Sequence, residues 1–281
     1  MNSKLTDAIY GLAIGDALGV PYEFCERGTF TCEGMTGYGS HRKKAGTWSD
    51  DTAMTLATLK SLKEKGSVDI EDIRKNFLLW IKEGAFTQDG RAYGIGHTTW
   101  NALVEGRVGT HSYENGNGSL MRILPLVFTE CSDEEVREVS AVTHAHYVSK
   151  EACVLYVQIG RELLKGREIK EILGSRKFEH PFERLGNIWE YPVEEIKSSG
   201  YVLDTLEAAL WCLSNSKSYE ETVLKAVNLG GDTDSIAAVA GGLAGIVFGL
   251  ESEKAKEWKE CLYNRDIVER CLGDEPKITA I

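Results

Sequence analysis

Apolar positions recur every three or four residues along almost the whole chain, and strict alternation is nearly absent. The pattern predicts an all-α fold. Over 5–19, Ile9, Leu12, Ala13 and Leu18 are interleaved with Gly11, Gly15 and Gly19, spaced so that the glycines stack on one helical face. Each glycine costs a helix about 1 kcal/mol, so the expected return is close approach by another backbone. Gly19 and Pro21 stop that helix. Ser49 or Asp50 caps a helix that should run to Lys65 and end at Gly66. Residues 69–82 form an amphipathic helix through Ile73, Phe77, Trp80 and Ile81, and Thr98 and Thr99 open another.

Further on, Ser119 is expected to cap a helix after a Gly/Asn turn, a capping box occupies 132–135, and Ser149 caps the helix after that. Another helix covers 202–213, and a second box at 218–221 starts the helix that delivers Asn228. Residues 236–250 are almost all small and apolar, including Ala237, Ala240, Gly241, Gly242 and Gly245. A helix with so little bulk belongs at the centre, with neighbours close on all sides. Residues 253–272 read as a last amphipathic helix, and the tail beyond Pro276 as frayed. Residues 28–46 read as a covering loop and 167–200 as a polar loop holding a short helix. No repeat of 20–50 residues is present. The expectation is a compact orthogonal bundle of about ten helices, one domain over 1–281.

Composition narrows what such a bundle does. A chain of 281 residues buries a core without staples. Its net charge of -11 argues against a nucleic-acid groove or a polybasic membrane patch, though an anionic ligand can still bind where a cation bridges the two. The cysteines (Cys25, Cys32, Cys131, Cys153, Cys212, Cys261, Cys271) are odd in number and lack any C-x-x-C, as reduced thiols of a cytosolic protein would be. Zinc lacks its Cys/His spacing. There is no basic-then-apolar leader, and 236–250 is too short to span a bilayer. The expected location is the cytoplasm.

Two acidic clusters carry the candidate chemistry. N-L-G-G-D-T-D-S (228–235) sets Asp232 and Asp234 beside Thr233 and Ser235, with no Arg or Lys in the stretch. Like charges about 4 Å apart cost roughly 1 kcal/mol in water and about 4 at an intermediate dielectric. A fold that buries the pair needs a cation or a shared proton. Helix capping is the plainer reading, but one such residue suffices for it. G-T-W-S-D-D-T-A-M (46–54) repeats the grammar in Ser49, Asp50 and Asp51. Every donor is oxygen, which suits Mg²⁺ or Mn²⁺. If the two helix starts face each other, the charge suits two ions roughly 4 Å apart. Residues 115–122, N-G-N-G-S-L-M-R, offer free backbone N–H groups for an anion, without a Walker lysine. An ordinary capped turn is an equal reading of that stretch.

In chain order, G-L-A-I-G-D-A-L-G-V-P-Y-E-F (11–24), G-T-W-S-D-D-T-A-M, G-N-G-S-L-M-R, T-H-A-H (143–146) and N-L-G-G-D-T-D-S-I-A-A resemble the ADP-ribosylglycohydrolase family. The resemblance spans nearly the whole chain. It implies a metal-dependent hydrolase that cleaves the glycosidic bond between ADP-ribose and a modified protein side chain or small molecule, releasing ADP-ribose. It implies two Mg²⁺ or Mn²⁺ ions, held by Ser49, Asp50 and Asp51 on one side and Asp232, Asp234 and Ser235 on the other. Glu23, Asp50 or Asp51 would handle the proton, and Asp16 would stand behind the ligands. Asn115, Gly116, Asn117, Gly118, Ser119, Leu120 and Met121 would cradle the diphosphate, His144 would lie by the phosphates or distal ribose, and Tyr93 and Gly94 would line the ribose pocket. One departure stands out. The nitrogenase-activating members carry Asp where this chain has Gly94, and R-A-Y-G-I-G is closer to members that cleave serine-linked ADP-ribose. No membrane partner is implied, and a nucleic acid only if itself ADP-ribosylated. The competing readings are a binuclear nucleotide phosphoesterase, which would release AMP, and a non-catalytic ADP-ribose binder.

Overall fold

The computed structural model describes residues 3–273. Its helices are α1 (Ser3–Gly19), α2 (Asp50–Lys65), α3 (Ile70–Glu83), α4 (His97–Val104), α5 (Asp133–Ala141) and α6 (Tyr147–Leu164). They continue with α7 (Ile169–Gly174), α8 (Val202–Ser214), α9 (Tyr219–Val227), α10 (Thr233–Phe248), α11 (Glu253–Cys261) and α12 (Asp266–Leu272). Short 3₁₀ turns fill several connections, and among the described residues extended pairing is limited to isolated bridges such as Gly116 with Tyr201. The all-α expectation holds.

Helices α1 and α10 form the most extensive helix pair among the described residues. Their glycines explain why. A Cβ on Gly11 would run into the carbonyl oxygen of Gly241, one on Gly15 into that of Ala237, and one on Gly19 into the backbone of Asp234. Gly241 and Gly245 meet α1 in the same way, at Gly11 and Asp7. The two backbones therefore touch, and α10 is buried from Thr233 to Ile246. This contact fixes Asp16, on α1, and Asp234, at the start of α10, in the same part of the core.

Several boundaries differ from expectation. The segment after Ser119 is a single 3₁₀ turn, Leu120–Arg122, which Ser119 does not cap. Pro125 lies in the next 3₁₀ turn, Leu124–Phe128, and lacks the N–H that a continuing helix needs. Helix α6 is capped by His146, while Ser149 is buried within it and donates to the Asn115 side chain. The last amphipathic stretch is two helices, because Tyr263 N–H turns aside to the Gly46 carbonyl at 2.9 Å and Asn264 adopts φ +54°. The tail beyond Pro276 lies outside the described residues.

Candidate metal and ligand site

The first acidic cluster sits at the start of α2. Ser49 is the N-cap, its Oγ accepting from Asp51 N–H, and its own hydroxyl also reaches Asp51 Oδ2 at 3.0 Å. Asp16 braces the turn from behind. Its carboxylate accepts from Ser49 N–H at 2.9 Å, Thr52 N–H at 3.0 Å and the Thr52 hydroxyl at 2.6 Å. Burial pushes Asp16 up to about 6, against the pull of those hydrogen bonds.

The second cluster starts α10 and is organised differently. Asp232 stands at the N-cap position but makes no capping hydrogen bond. The capping reading therefore holds for Ser49 and not for Asp232. The Asp232 carboxylate instead accepts from Asn117 Nδ2 at 2.7 Å. Gly230 and Gly231, at φ +71° and +74°, turn the chain so tightly that Gly231 exchanges backbone hydrogen bonds with Phe24 and Cys25, both 2.8 Å. That exchange carries Glu23 to the cluster. Carboxylate oxygens of Glu23, Asp232 and Asp234 all lie within 4.8 Å of one another.

The two clusters face each other. Ser235 Oγ donates to Asp51 Oδ2 at 3.3 Å, bridging α10 to α2. Burial, and then the neighbouring carboxylates, hold Asp50 and Asp51 far above the ordinary carboxylate range, as burial and then Glu23 do for Asp234. Asp232 is raised as well, first by burial. Asp51 Oδ1 is buried without a hydrogen-bond partner among the described residues. An orphaned carboxylate oxygen amid crowded acids and hydroxyls fits a hard divalent cation.

Asp50, Asp51, Asp232, Asp234 and Ser235 open onto a cleft of about 390 Å³. Gly116, Asn117, Gly118, Met121, His144 and Gly94 line its other side. Three residues of the expected cradle turn away from it. Asn115 is tied to Ser112 and Ser149, Ser119 Oγ accepts from Ser140, and Leu120 is in the core. Tyr93 stands beside the site, with its hydroxyl donating to the Trp48 carbonyl at 2.7 Å. Gly94 is at φ +79°, and a Cβ there would strike Asp50 Oδ1.

Sequence reasoning missed several contributors, Ile95, Thr98 and Thr99 among them. Phe24 lines the cleft at φ +68° and is 75 % exposed. His97 and Gly200 also line it, the latter from the loop at 167–200 that carried no readable signal. His41 pairs with Glu23 and packs its ring 5.6 Å from that of Tyr93. In the sequence, the R-A-Y-G-I-G loop with Tyr93 and Gly94 was the signal nearest this mouth.

Residues 1–279 match the ADP-ribosylglycohydrolase family. The chain is 33 % identical to ADP-ribosylarginine hydrolase Tri1 of Serratia proteamaculans, over 94 % of this chain and 76 % of that one. It is 36 % identical to the protein of the same name in Pseudomonas putida, over 90 % and 72 %. A solved structure described as an ADP-ribosylglycohydrolase-related protein complex superposes with a TM-score of 0.80 at 32 % identity, over 96 % of this chain and 95 % of the other.

Proposed function

The chain belongs to the ADP-ribosylglycohydrolase family, and from that premise we propose that it frees arginine side chains of ADP-ribose with the help of two divalent cations. It is an ADP-ribosyl hydrolase. The finer reading rests above all on the orphaned Asp51 Oδ1 between two facing acidic helix starts. Ser49, Asp50 and Asp51 would hold one Mg²⁺ or Mn²⁺ and Asp232, Asp234 and Ser235 the other, with Glu23 in reach of the second set. Such ions supply positive charge that neutralises the carboxylates, orients the ribose hydroxyls and acidifies water.

The chain's own residues do the rest. Gly116 and Gly118 leave room for the diphosphate to approach the backbone, and His144 closes that end. Asn117 ties this cradle to Asp232, so diphosphate and ribose ends are held in one register. Hydrolysis breaks the bond between the ribose anomeric carbon and the guanidinium nitrogen. The hydroxyl of water joins the carbon and its proton goes to the departing nitrogen, through an oxocarbenium-like state. Glu23, Asp50 or Asp51 carries that proton on a carboxylate oxygen.

The acceptor is argued from the two arginine-hydrolase relatives. The serine-type look of the R-A-Y-G-I-G loop weighs less. Gly94 has a packing reason of its own, the positive φ and the Asp50 carboxylate against it, whatever the acceptor is. Incubation with arginine- and serine-linked ADP-ribose and Mg²⁺ or Mn²⁺ tests the reading. Free ADP-ribose from the arginine substrate, blocked by EDTA, is expected. AMP as the product would make the protein a phosphoesterase, and full turnover in EDTA would end the cation mechanism.

A further inference from the structure

Behind the diphosphate end of the cleft lies a buried guanidinium with no carboxylate partner among the described residues. Arg122 is fully buried, and its Nη1 donates to the Gly118 carbonyl and, at 3.1 Å, to Thr143 Oγ1. Its Nη2 donates to the Val139 carbonyl at 3.1 Å, and its plane lies over the Phe77 ring. Thr143 Oγ1 in turn is 2.8 Å from His144 Nδ1. The order of donors along this relay follows from what each group can give and take. Arg122 can only donate, so the Thr143 oxygen accepts from it. The hydroxyl hydrogen then needs an acceptor, and His144 Nδ1 is the one within reach. Were Nδ1 protonated, Thr143 would accept from both neighbours, and no hydrogen bond recorded among the described residues would use its own hydrogen.

We propose that Arg122 and Thr143 are positioning residues that fix His144 as the neutral Nε2–H tautomer, so that His144 offers the cleft one aimed hydrogen-bond donor for an anionic oxygen of the ligand. The geometry at the far ring nitrogen agrees. A Cβ on Gly116 or Gly118 would come within 3.5 or 3.3 Å of Nε2, so the ring edge faces the two glycines of the cradle. Burial, then the Arg122 charge, push His144 down to about 3, with Glu114 pulling weakly the other way. The same guanidinium therefore holds the Gly118 carbonyl, adds to burial in keeping the ring uncharged, and sets its proton through Thr143. Sequence reading had placed His144 by the ligand; what is added is the group that decides which ring nitrogen carries the proton.

This rests on the ADP-ribose reading for the identity of the ligand, and the test separates the two. Nitrogen-15 spectra of histidine-labelled wild-type protein at neutral pH read the tautomer without any ligand. The chain has six histidines, so a His144→Gln spectrum suffices to assign the signal. The Nε2–H form is expected; an Nδ1–H or doubly protonated ring would overturn the proposal. Calorimetry with ADP-ribose then compares Thr143→Val, which deletes the hydroxyl, with Thr143→Ser, which keeps it. Thr143→Val should bind about tenfold more weakly or worse, the scale of one hydrogen bond to a charged group. Thr143→Ser should bind like wild type and keep its tautomer. Equal binding by all three, with the Thr143→Val ring shifted to Nδ1–H, would also overturn it. A wild type that ignores ADP-ribose would strike at the functional reading alone, and the spectrum would still decide the tautomer.

Discussion

The starts of α2 and α10 carry nearly the same letters, a hydroxyl and two Asp, yet they are held by opposite means. The α2 cluster is held by polar bonds: Ser49 caps the helix and the Asp16 carboxylate gathers Ser49 and Thr52 behind it. The α10 cluster is held by backbone. Gly15 and Gly19 let α1 press against it, and Gly230 and Gly231 turn the chain into it. Its polar bonds join it to its neighbours: Asn117 donates to Asp232, the Thr233 hydroxyl to the Gly19 carbonyl at 2.8 Å and Ser235 to Asp51. The contrast teaches that a run of acids and hydroxyls at a helix start specifies the ligands but not the scaffold. One half is positioned mainly by hydrogen bonds to a buried carboxyl and the other mainly by close backbone packing.

The strongest blow to the comparison is to remove one ligand oxygen from each half. Asp51→Asn and Asp234→Asn preserve shape and delete a charge. If the two halves serve one centre, both should lose activity by about a thousandfold or more, since each removes charge on which catalysis depends. Both proteins should stay folded, and without cation they should melt no lower than wild type, because a buried carboxyl whose charged form is disfavoured gives way to a neutral amide. Calorimetric melting beside a rate assay reads both. A variant that keeps a tenth of wild-type activity would show that its half is not part of the centre.

Next come the braces. Gly15→Ala puts a methyl group against the Ala237 carbonyl, backbone on backbone, with no flexible side chain to give way. The cost should be about 3 kcal/mol of stability, at the upper end for overpacking. Asp16→Asn replaces an acceptor of several N–H and O–H groups by a side chain that must present an NH₂ to them. Its stability loss should be smaller, and its mark should be cation affinity, about 10- to 100-fold weaker, as for other groups that orient ligands. Denaturant melts and cation titrations of the pair would separate a scaffold fault from a ligand-orientation fault. Identical signatures would erase the distinction drawn between the halves.

The sequence carried one of these scaffolds openly. Glycines at four-residue spacing on α1, and a small-residue run on α10, are visible as pattern, and their return was backbone contact. The Ser49 cap and Gly66 stop were equally legible, because capping is local chemistry. What stayed hidden depends on where loops land. The backbone exchange of Gly231 with Phe24 and Cys25, the pairing of His41 with Glu23, and Gly200 against Asp232 join segments from far along the chain. No spacing rule reports them. The same holds for Asn115 and Ser119: a turn motif does not say which of its side chains face inward.

The mildest perturbation is pH, and it acts on both halves together. Asp50, Asp51 and Asp234 stand well above the ordinary carboxylate range and Asp16 reaches about 6, all primarily through burial. A folded-state value above the unfolded one means that the folded protein holds protons that the unfolded chain has released. For the cation-free protein this contribution to stability is complete below about pH 4, the ordinary carboxylate value. It is lost as pH rises through the folded values, for Asp16 between about 4 and about 6. A divalent cation must displace those protons, so its grip runs the other way, strengthening with pH by about 1.4 kcal/mol per unit for each proton displaced. At one hundred times its dissociation constant the ion adds about 2.7 kcal/mol. Melting curves with EDTA and with Mg²⁺ should therefore diverge as pH is raised from 5.5 to 8 and converge towards the acid end. If the two curves stay parallel across that range, the ion is not taking the place of protons, and the acids at the two helix starts are held by something other than a metal.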